Sequence, residues 1–170
     1  MILPEVLLSE EQILKRVAEL GKQIKDDYNG QELVLICALR GGVIFMADLA
    51  RQLDPLTTQL EFIKVSSYQG QESTGKLVFS GDIAMDIEGL NVLLVEDIID
   101  TGLTIDLLIK HIMAKKPKDL KVCALLNKNK VKHIKIDYNG FDIPNNFVVG
   151  YGLDYNGKYR NLPYVGTLPY

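Results

Sequence analysis

The fold of this chain follows from one stretch, Val92-Leu93-Leu94-Val95-Glu96-Asp97-Ile98-Ile99-Asp100-Thr101-Gly102-Leu103-Thr104. The aliphatic run at its start is typical of a strand buried on both faces, as in a parallel sheet flanked by helices. The acidic residues therefore emerge at the carboxyl end of the strand, where open α/β sheets bind their ligands. The apolar series that follows predicts a helix packed on the sheet; its members are Leu103, Leu107, Leu108 and Ile112.

The turn between that strand and that helix has the chemistry of an anion site. The first N–H groups of a helix attract anions, while Gly102 allows close approach and the hydroxyls of Thr101 and Thr104 donate hydrogen bonds. Glu96 and Asp97 would repel a bare phosphate, so they are better suited to ribose hydroxyls or a divalent cation. A solvated turn with ordinary caps is the alternative, but adjacent acids and a Thr-Gly-x-Thr turn exceed what capping requires.

Composition predicts one compact domain. The chain has 170 residues, of which 47% are hydrophobic and 24% charged, so we predict a single domain over residues 1–170. The net charge of −3 argues against a nucleic-acid partner.

Cys37 and Cys123 lie in apolar segments and are predicted to be reduced core residues. The N-terminus lacks a signal-peptide pattern and no apolar run reaches membrane-spanning length, so we expect a cytoplasmic protein with no membrane partner.

Predicted helices and strands alternate along the chain. A capping box at Ser9 begins a helix that ends at Asn29-Gly30. Strands are predicted at residues 33–37, 61–67, 92–95, 120–126 and 147–151, with a short hairpin strand at 77–79. Strands separated by helices imply an α/β fold with a mostly parallel twisted sheet flanked by helices.

Part of the stretch from 92 to 104 resembles a motif of a known enzyme family. Glu96-Asp97-Ile98-Ile99-Asp100-Thr101-Gly102 resembles the 5-phosphoribosyl-1-pyrophosphate (PRPP) motif of the type I phosphoribosyltransferases, most closely of the members that use hypoxanthine or guanine. The resemblance extends from near Leu33 to Arg160 and implies the fold of that family, with a small hood built from the N-terminal and C-terminal segments. In the family, the loop cradles the 5-phosphate of the sugar and the two acids hold its ribose hydroxyls. No dinucleotide or Walker-type glycine motif occurs, so dehydrogenases and NTPases fit poorly.

Two further segments resemble parts of the PRPP site. Leu39-Arg40-Gly41-Gly42 follows a predicted strand like the family's pyrophosphate loop, in which the peptide before the glycine can be cis; a plain turn is the alternative. Ser67-Tyr68 and the polar segment after them resemble the catalytic lid, which excludes water, although an ordinary surface loop is the alternative. The PRPP-binding residues that the resemblance implies are Leu39, Arg40, Gly41, Glu96, Asp97, Asp100, Thr101, Gly102, Leu103, Thr104 and Arg160.

Two other segments resemble the purine site. Lys128 stands where the 6-oxopurine enzymes place a lysine on the exocyclic oxygen, and a lysine can donate to an oxo group but cannot accept from an amino group. Lys130 competes for this role, a solvated lysine is the alternative, and Asn127 replaces the acid of many bacterial relatives. The segment from 147 to 156 resembles the base-binding strand and loop. There Phe147 would stack on the purine, the Val148 main chain would meet its edge, and Asp154 would lie near a second magnesium. A core Phe147 and a turn-capping Asp154 are the alternatives.

The resemblance implies an enzyme of purine salvage. Such an enzyme uses Mg²⁺ to transfer the 5-phosphoribosyl group of PRPP to hypoxanthine or guanine, giving IMP or GMP and pyrophosphate. Asp100 would take the proton from N7, Arg160 would contact the pyrophosphate, and Mg²⁺ would lie near Glu96, Asp97 and Asp154. A homo-oligomer, dimer or tetramer, is expected. The alternatives are an enzyme for xanthine or adenine, and a PRPP-binding regulator with this fold. His111 and His133 lack partners at metal-ligand spacing and are not expected to be catalytic.

Overall fold

The computed structural model describes residues 3–67 and 77–168. Its elements in chain order are β1 (Glu5–Leu8), α1 (Glu10–Tyr28), β2 (Leu33–Leu39), α2 (Val43–Ala50), β3 (Thr58–Ser67), β4 (Leu77–Gly81), β5 (Asn91–Ile99), α3 (Leu103–Met113), β6 (Asp119–Asn127), β7 (Tyr138–Asp142), β8 (Val148–Val149) and β9 (Val165–Thr167). Within the described ranges, no helix is long and apolar enough to cross a membrane.

The first helix has the boundaries that its sequence predicts. The Gln12 N–H donates to the Ser9 hydroxyl at 3.2 Å, and the Ser9 N–H donates to the Gln12 side chain at 2.8 Å, which completes the capping box. Asn29 ends the helix in the left-handed conformation, with φ of 43°. One face of α1 is buried, and its apolar members are Ile13, Val17, Leu20, Ile24 and Tyr28.

The main sheet has six strands in the order β4-β3-β2-β5-β6-β7. Every neighbouring pair is parallel except β3 and β4, which form an antiparallel hairpin. This confirms the predicted mostly parallel sheet and the predicted hairpin strand. Because parallel strands share a direction, the carboxyl ends of β2, β5 and β6 meet at one edge of the sheet, next to one another.

Helices cover both faces of this sheet. The core on one face includes α1 and α2, and the core on the other includes α3. The predicted apolar face of α3 is partly wrong, because Leu103 is 70% exposed at the first helical position whereas Ile105, Leu108 and Ile112 are buried. The prediction that both cysteines are reduced core residues is confirmed, since Cys37 and Cys123 are free and buried.

A second, three-stranded sheet joins the two ends of the chain, in the order β1-β9-β8. Both of its strand pairs are antiparallel. This sheet is the small hood of the expected fold class. The sequence prediction missed β1 and β9, as well as β7 at the edge of the main sheet, and placed β8 over a longer range than its two residues, Val148 and Val149.

Candidate active site

Three loops converge at the carboxyl edge of the main sheet. The loop after β2 carries a cis peptide bond between Leu39 and Arg40. Gly41 in that loop lies against the end of β5, since a Cβ placed on it would overlap the carboxylate of Asp97. Gly152, in the loop after β8, has φ of +101°, and a Cβ there would overlap the carbonyl oxygen of Gly41. The absence of side chains at both glycines therefore lets the loops after β2 and β8 meet at the acidic end of β5.

Glu96 and Asp97 form a buried acidic pair at the end of β5. Glu96 is 6% exposed, and its Oε1 atom has no hydrogen-bond partner among the described residues. Burial raises the pKa of Glu96 well above its usual range, and the neighbouring Asp97 adds to this effect. Burial also raises the pKa of Asp97, although hydrogen bonds from the Ile98 and Asp97 main chain and the charge of Arg160 oppose it. A buried carboxylate with an unmatched oxygen is suited to receive hydroxyl donors or a cation.

Arg160 and Asp154 brace the loop after β8. Arg160 donates to the Gly152 carbonyl at 2.6 Å and forms an ion pair with Oδ1 of Asp154 at 2.6 Å. The other oxygen of Asp154 accepts from the Gly157 N–H at 2.7 Å, so Asp154 does cap a turn here. In the described part of the chain, no three His, Cys, Asp or Glu side chains are grouped to hold a metal ion. The structure thus does not gather Glu96, Asp97 and Asp154 into a single ligand cluster.

The turn between β5 and α3 encloses an open pocket of about 230 Å³, lined by residues 96–102, 104 and 105. Gly102 has φ of 84° at the N-terminus of α3, and a Cβ there would lie 2.9 Å from Val131. Within the described ranges no side chain caps this helix, so its first N–H groups face the turn without a side-chain acceptor. The pocket therefore combines the free end of a helix dipole with the hydroxyl groups of Thr101 and Thr104.

Asp100 and Lys128, which the sequence places in one site, form an ion pair. Nζ of Lys128 lies 2.8 Å from Oδ2 of Asp100, and the lysine side chain is only 7% exposed. Lys130 reaches the other oxygen, Oδ1, at 2.6 Å. Hydrogen bonds from Lys128 and then Lys130 lower the pKa of Asp100 below its usual range. Asp100 is therefore an ionised acceptor between two cations.

Phe147 lies immediately before β8 and is 42% exposed, so it is not a core residue. Its ring meets that of Tyr155 edge to face, with 5.7 Å between the centroids. Val148 is buried and pairs with Thr167 in the hood. We assigned no role to Tyr155 from the sequence, although an aromatic residue in the loop after β8 is a signal that could have suggested one.

The lid prediction falls mainly outside the described residues. Ser67 ends β3, whose main chain pairs with β4, and Tyr68 lies beyond the described range. The assignment of Ser67 and Tyr68 to a lid therefore stays a prediction.

The two histidines contact carboxylates near the surface. His111 lies 2.8 Å from Asp82 and stacks on Phe79, and His133 lies 2.9 Å from Asp106. These contacts tie the β3–β4 hairpin and the loop after β6 to α3.

Comparison with known proteins gives the family. A model of the phosphoribosyl transferase domain matches residues 5–156. This chain belongs to the phosphoribosyl transferase domain family. The match spans the loop after β2, the β5–α3 turn, Lys128 and the loop at Asp154, while Arg160 lies just beyond it.

Several members of the phosphoribosyl transferase family are similar along nearly the whole chain. The chain is 50% identical over 172 residues to the hypoxanthine-guanine phosphoribosyltransferase of Mycobacterium avium, covering 96% of this chain and 84% of that protein. It is 44% identical to the hypoxanthine-guanine-xanthine phosphoribosyltransferase of Tritrichomonas foetus, covering 98% and 92%. A crystal structure of a hypoxanthine-guanine phosphoribosyltransferase from Bacillus anthracis superposes with a TM-score of 0.90 at 45% identity, covering 99% and 100%.

Proposed function

We propose that this protein transfers the 5-phosphoribosyl group of PRPP to hypoxanthine or guanine, giving IMP or GMP and pyrophosphate in purine salvage. The observation that carries this proposal is the ion pair between Lys128 and Asp100, a donor beside an acceptor, at the end of the pocket-lining turn between β5 and α3. The family membership and the names of the similar proteins support an enzyme over a PRPP-binding regulator.

The Lys128–Asp100 pair matches one edge of a 6-oxopurine. That edge presents the exocyclic oxygen, an acceptor, beside N7–H, a donor. Lys128 would donate to the oxygen while Asp100 accepts the proton of N7. Adenine presents an amino group in place of the oxygen, and a lysine has no lone pair to accept from it. Phe147, which is exposed immediately before β8, would stack on the ring, and the Val148 main chain would meet its edge.

The β5–α3 turn and the acidic pair would bind the sugar phosphate. The free N–H groups at the start of α3 and the hydroxyls of Thr101 and Thr104 would hold the 5-phosphate. Glu96 and Asp97 would accept hydrogen bonds from the ribose hydroxyls. The loop of Leu39, Arg40 and Gly41 would direct main-chain N–H groups at the pyrophosphate, together with Arg160. The proposed PRPP site would therefore extend across all three converging loops.

The acidic pair also fits a magnesium ion. Mg²⁺ is usually held by one or two carboxylates together with substrate oxygens and water, so no three-acid cluster is required. Glu96, whose Oε1 has no partner among the described residues, and Asp97 would hold it, with Asp154 near a second ion. When bound, the ion would neutralise negative charge on the pyrophosphate.

Chemically, the transfer would exchange one bond at the sugar for another. The purine ring nitrogen that forms the new glycosidic bond attacks C1 as the bond from C1 to the pyrophosphate oxygen breaks. The proton on a different ring nitrogen, N7, passes to Asp100. An aspartate is a weak base, so its value would come from its position, within the usual general-base contribution of about 10²–10⁴-fold. Ser67 and Tyr68 would close over the sugar and keep water from it.

A pyrophosphate-release assay tests this proposal. The protein would be mixed with PRPP and Mg²⁺, and hypoxanthine, guanine, xanthine or adenine would be supplied separately. We expect rapid release with hypoxanthine or guanine and none with adenine. Release with xanthine would broaden the substrate range, as the name of the Tritrichomonas foetus relative suggests. PRPP binding without release for any base would point instead to a regulator.

We further expect a homo-oligomer, a dimer or a tetramer, with no nucleic-acid or membrane partner. The large side chains of Leu60 and Phe62 on β3 are 46% and 40% exposed, and a subunit interface would remove such apolar surface from water. Light scattering coupled to size-exclusion chromatography measures the oligomeric mass. Free, buried cysteines agree with an expected cytoplasmic location.

A further inference from the structure

Asp100 is held by one lysine on each carboxylate oxygen. Lys128 approaches Oδ2 from the interior, with 7% of its side chain exposed, whereas Lys130 approaches Oδ1 from the solvent side, with 38% exposed. The two contacts therefore differ in burial and in direction. A carboxylate that is bound at one oxygen can still rotate about the Cβ–Cγ bond of the aspartate. A carboxylate that is bound at both oxygens is held in one plane.

The proposed reaction gives Lys128 a second task, because its ammonium group must also donate to the purine oxygen. The contact at Oδ1 is then the one that can persist unchanged while the base is bound. Lys130 makes that contact at 2.6 Å. Its position keeps the acceptor lone pairs of Asp100 directed at the same point with and without the purine.

A hydrogen-bonded turn from Asn127 to Asn129 places Lys130 in this position. Asn127, at the end of β6, is 9% exposed; its side chain donates to Oδ1 of Asn129 at 2.8 Å and to Asp142 at 3.2 Å, and accepts from the Asn129 N–H at 2.9 Å. Asn129 adopts the left-handed conformation, with φ of 55°. The Lys128 N–H donates to the Ile99 carbonyl at 3.1 Å, which connects the turn to the end of β5. This turn brings both lysines onto one carboxylate.

We propose that Lys130 is a positioning residue for the transfer reaction. It holds Oδ1 of Asp100 while Lys128 engages the base, and the Asn127–Asn129 turn sets its place. This inference rests on the proposed function. An exposed ion pair contributes little by itself, so the effect of Lys130 lies in the geometry of Asp100 and not in the stability of the fold.

The test compares Lys130→Met with Lys130→Arg and with a matched control, Lys132→Met, at an exposed lysine of the same segment. With hypoxanthine as the substrate, we expect Lys130→Met to lower kcat about tenfold and to leave KM for PRPP within about twofold. Lys130→Arg restores most of the activity because it keeps a cation at Oδ1. The acidic limb of the kcat–pH profile of Lys130→Met moves to higher pH, because one of the two cations that lower the pKa of Asp100 is gone.

A second variant tests the turn. Asn129→Gly keeps the left-handed conformation and removes the acceptor that Asn127 uses, so we expect a smaller loss of kcat in the same direction. If Lys130→Met keeps kcat within about twofold, or raises it, and leaves the acidic limb in place, Lys130 does not position Asp100. That result with an active wild-type protein overturns only this inference. A wild-type protein that is inactive with every base overturns the proposed function itself.

Discussion

Lys128 and Asp100 lie 28 residues apart in the chain, yet Nζ of the lysine is 2.8 Å from Oδ2 of the aspartate. The contact forms because β5 and β6 are parallel neighbours, so that the loops that follow them leave the same edge of the sheet. The strand order therefore converts two separate sequence signals into one donor–acceptor pair. The proposed choice of a 6-oxopurine over adenine depends on this pair.

Replacing the proposed proton acceptor should separate chemistry from binding. We expect Asp100→Asn to lower kcat by about 10²-fold or more, because an amide cannot take the proton from N7. PRPP binding, measured by isothermal titration calorimetry, should change little. Asp106→Asn is the matched control, since Asp106 lies on α3 and pairs with His133. Full turnover by Asp100→Asn would show that the proton goes elsewhere.

Removing Lys128 should affect the purine more than the sugar phosphate. We expect Lys128→Ala to lower kcat/KM for hypoxanthine by about 10²-fold or more, since the oxo group loses its buried donor. The dissociation constant for PRPP should stay within about threefold. Lys132→Ala is the control. An equal loss of both quantities would indicate a folding defect and not a role in base selection.

The close approach of Gly152 to Gly41 should be essential to the site. We expect Gly152→Ala to weaken PRPP binding by about tenfold or more, because its Cβ would displace the loop at Gly41. Gly30→Ala is a control, since Gly30 also has a positive φ, of +78°, but a Cβ there would meet no described atom within 4 Å. Gly30→Ala should lose about 1 kcal/mol in the free energy of unfolding from backbone strain alone, and Gly152→Ala should lose more, because its Cβ also overlaps the Gly41 carbonyl oxygen. Calorimetry that shows equal PRPP affinity for the two variants would contradict the role of the glycine contact.

The ion pairs of Asp82 with Lys115 and His111 should make the stability of the fold sensitive to acid. Burial opposes ionisation of Asp82, but hydrogen bonds from Lys115 and His111 outweigh it and lower its pKa to about 2. A depressed pKa means that Asp82 contributes its stability above the unfolded-state value of 3.8 and loses it as pH falls toward about 2. The difference in urea midpoint between wild type and Asp82→Asn should therefore shrink over that interval. A difference that is constant with pH would show that the ion pairs contribute nothing.

The parts of this fold that local sequence patterns encode were predictable. The strand β5 and the turn between β5 and α3 follow from apolar runs and turn chemistry, and the capping box at Ser9 marks α1. The strands β1 and β7 were missed because they are short and lie at sheet edges. The strand β9 has only three residues, and β1 and β9 pair with each other across almost the whole length of the chain.

In the candidate site, too, the features set by local sequence were predictable, and those set by contacts between distant segments were not. The acids of β5 and the position of Lys128 could be found from the motif and the strand register. The contact between Gly152 and Gly41 could not, because it depends on where two distant loops meet. The joint hold of Lys128 and Lys130 on Asp100 depends on the left-handed turn at Asn129, and a lysine-rich segment gives no sign of it.

One competition experiment tests the central claim most directly. The protein is supplied with PRPP, Mg²⁺ and equal amounts of hypoxanthine and adenine, and the nucleotides formed are identified by mass spectrometry. The donor–acceptor pair of Lys128 and Asp100 predicts IMP as the product, with no AMP above background. Formation of AMP at a comparable rate, or of neither nucleotide while PRPP still binds, would contradict the account.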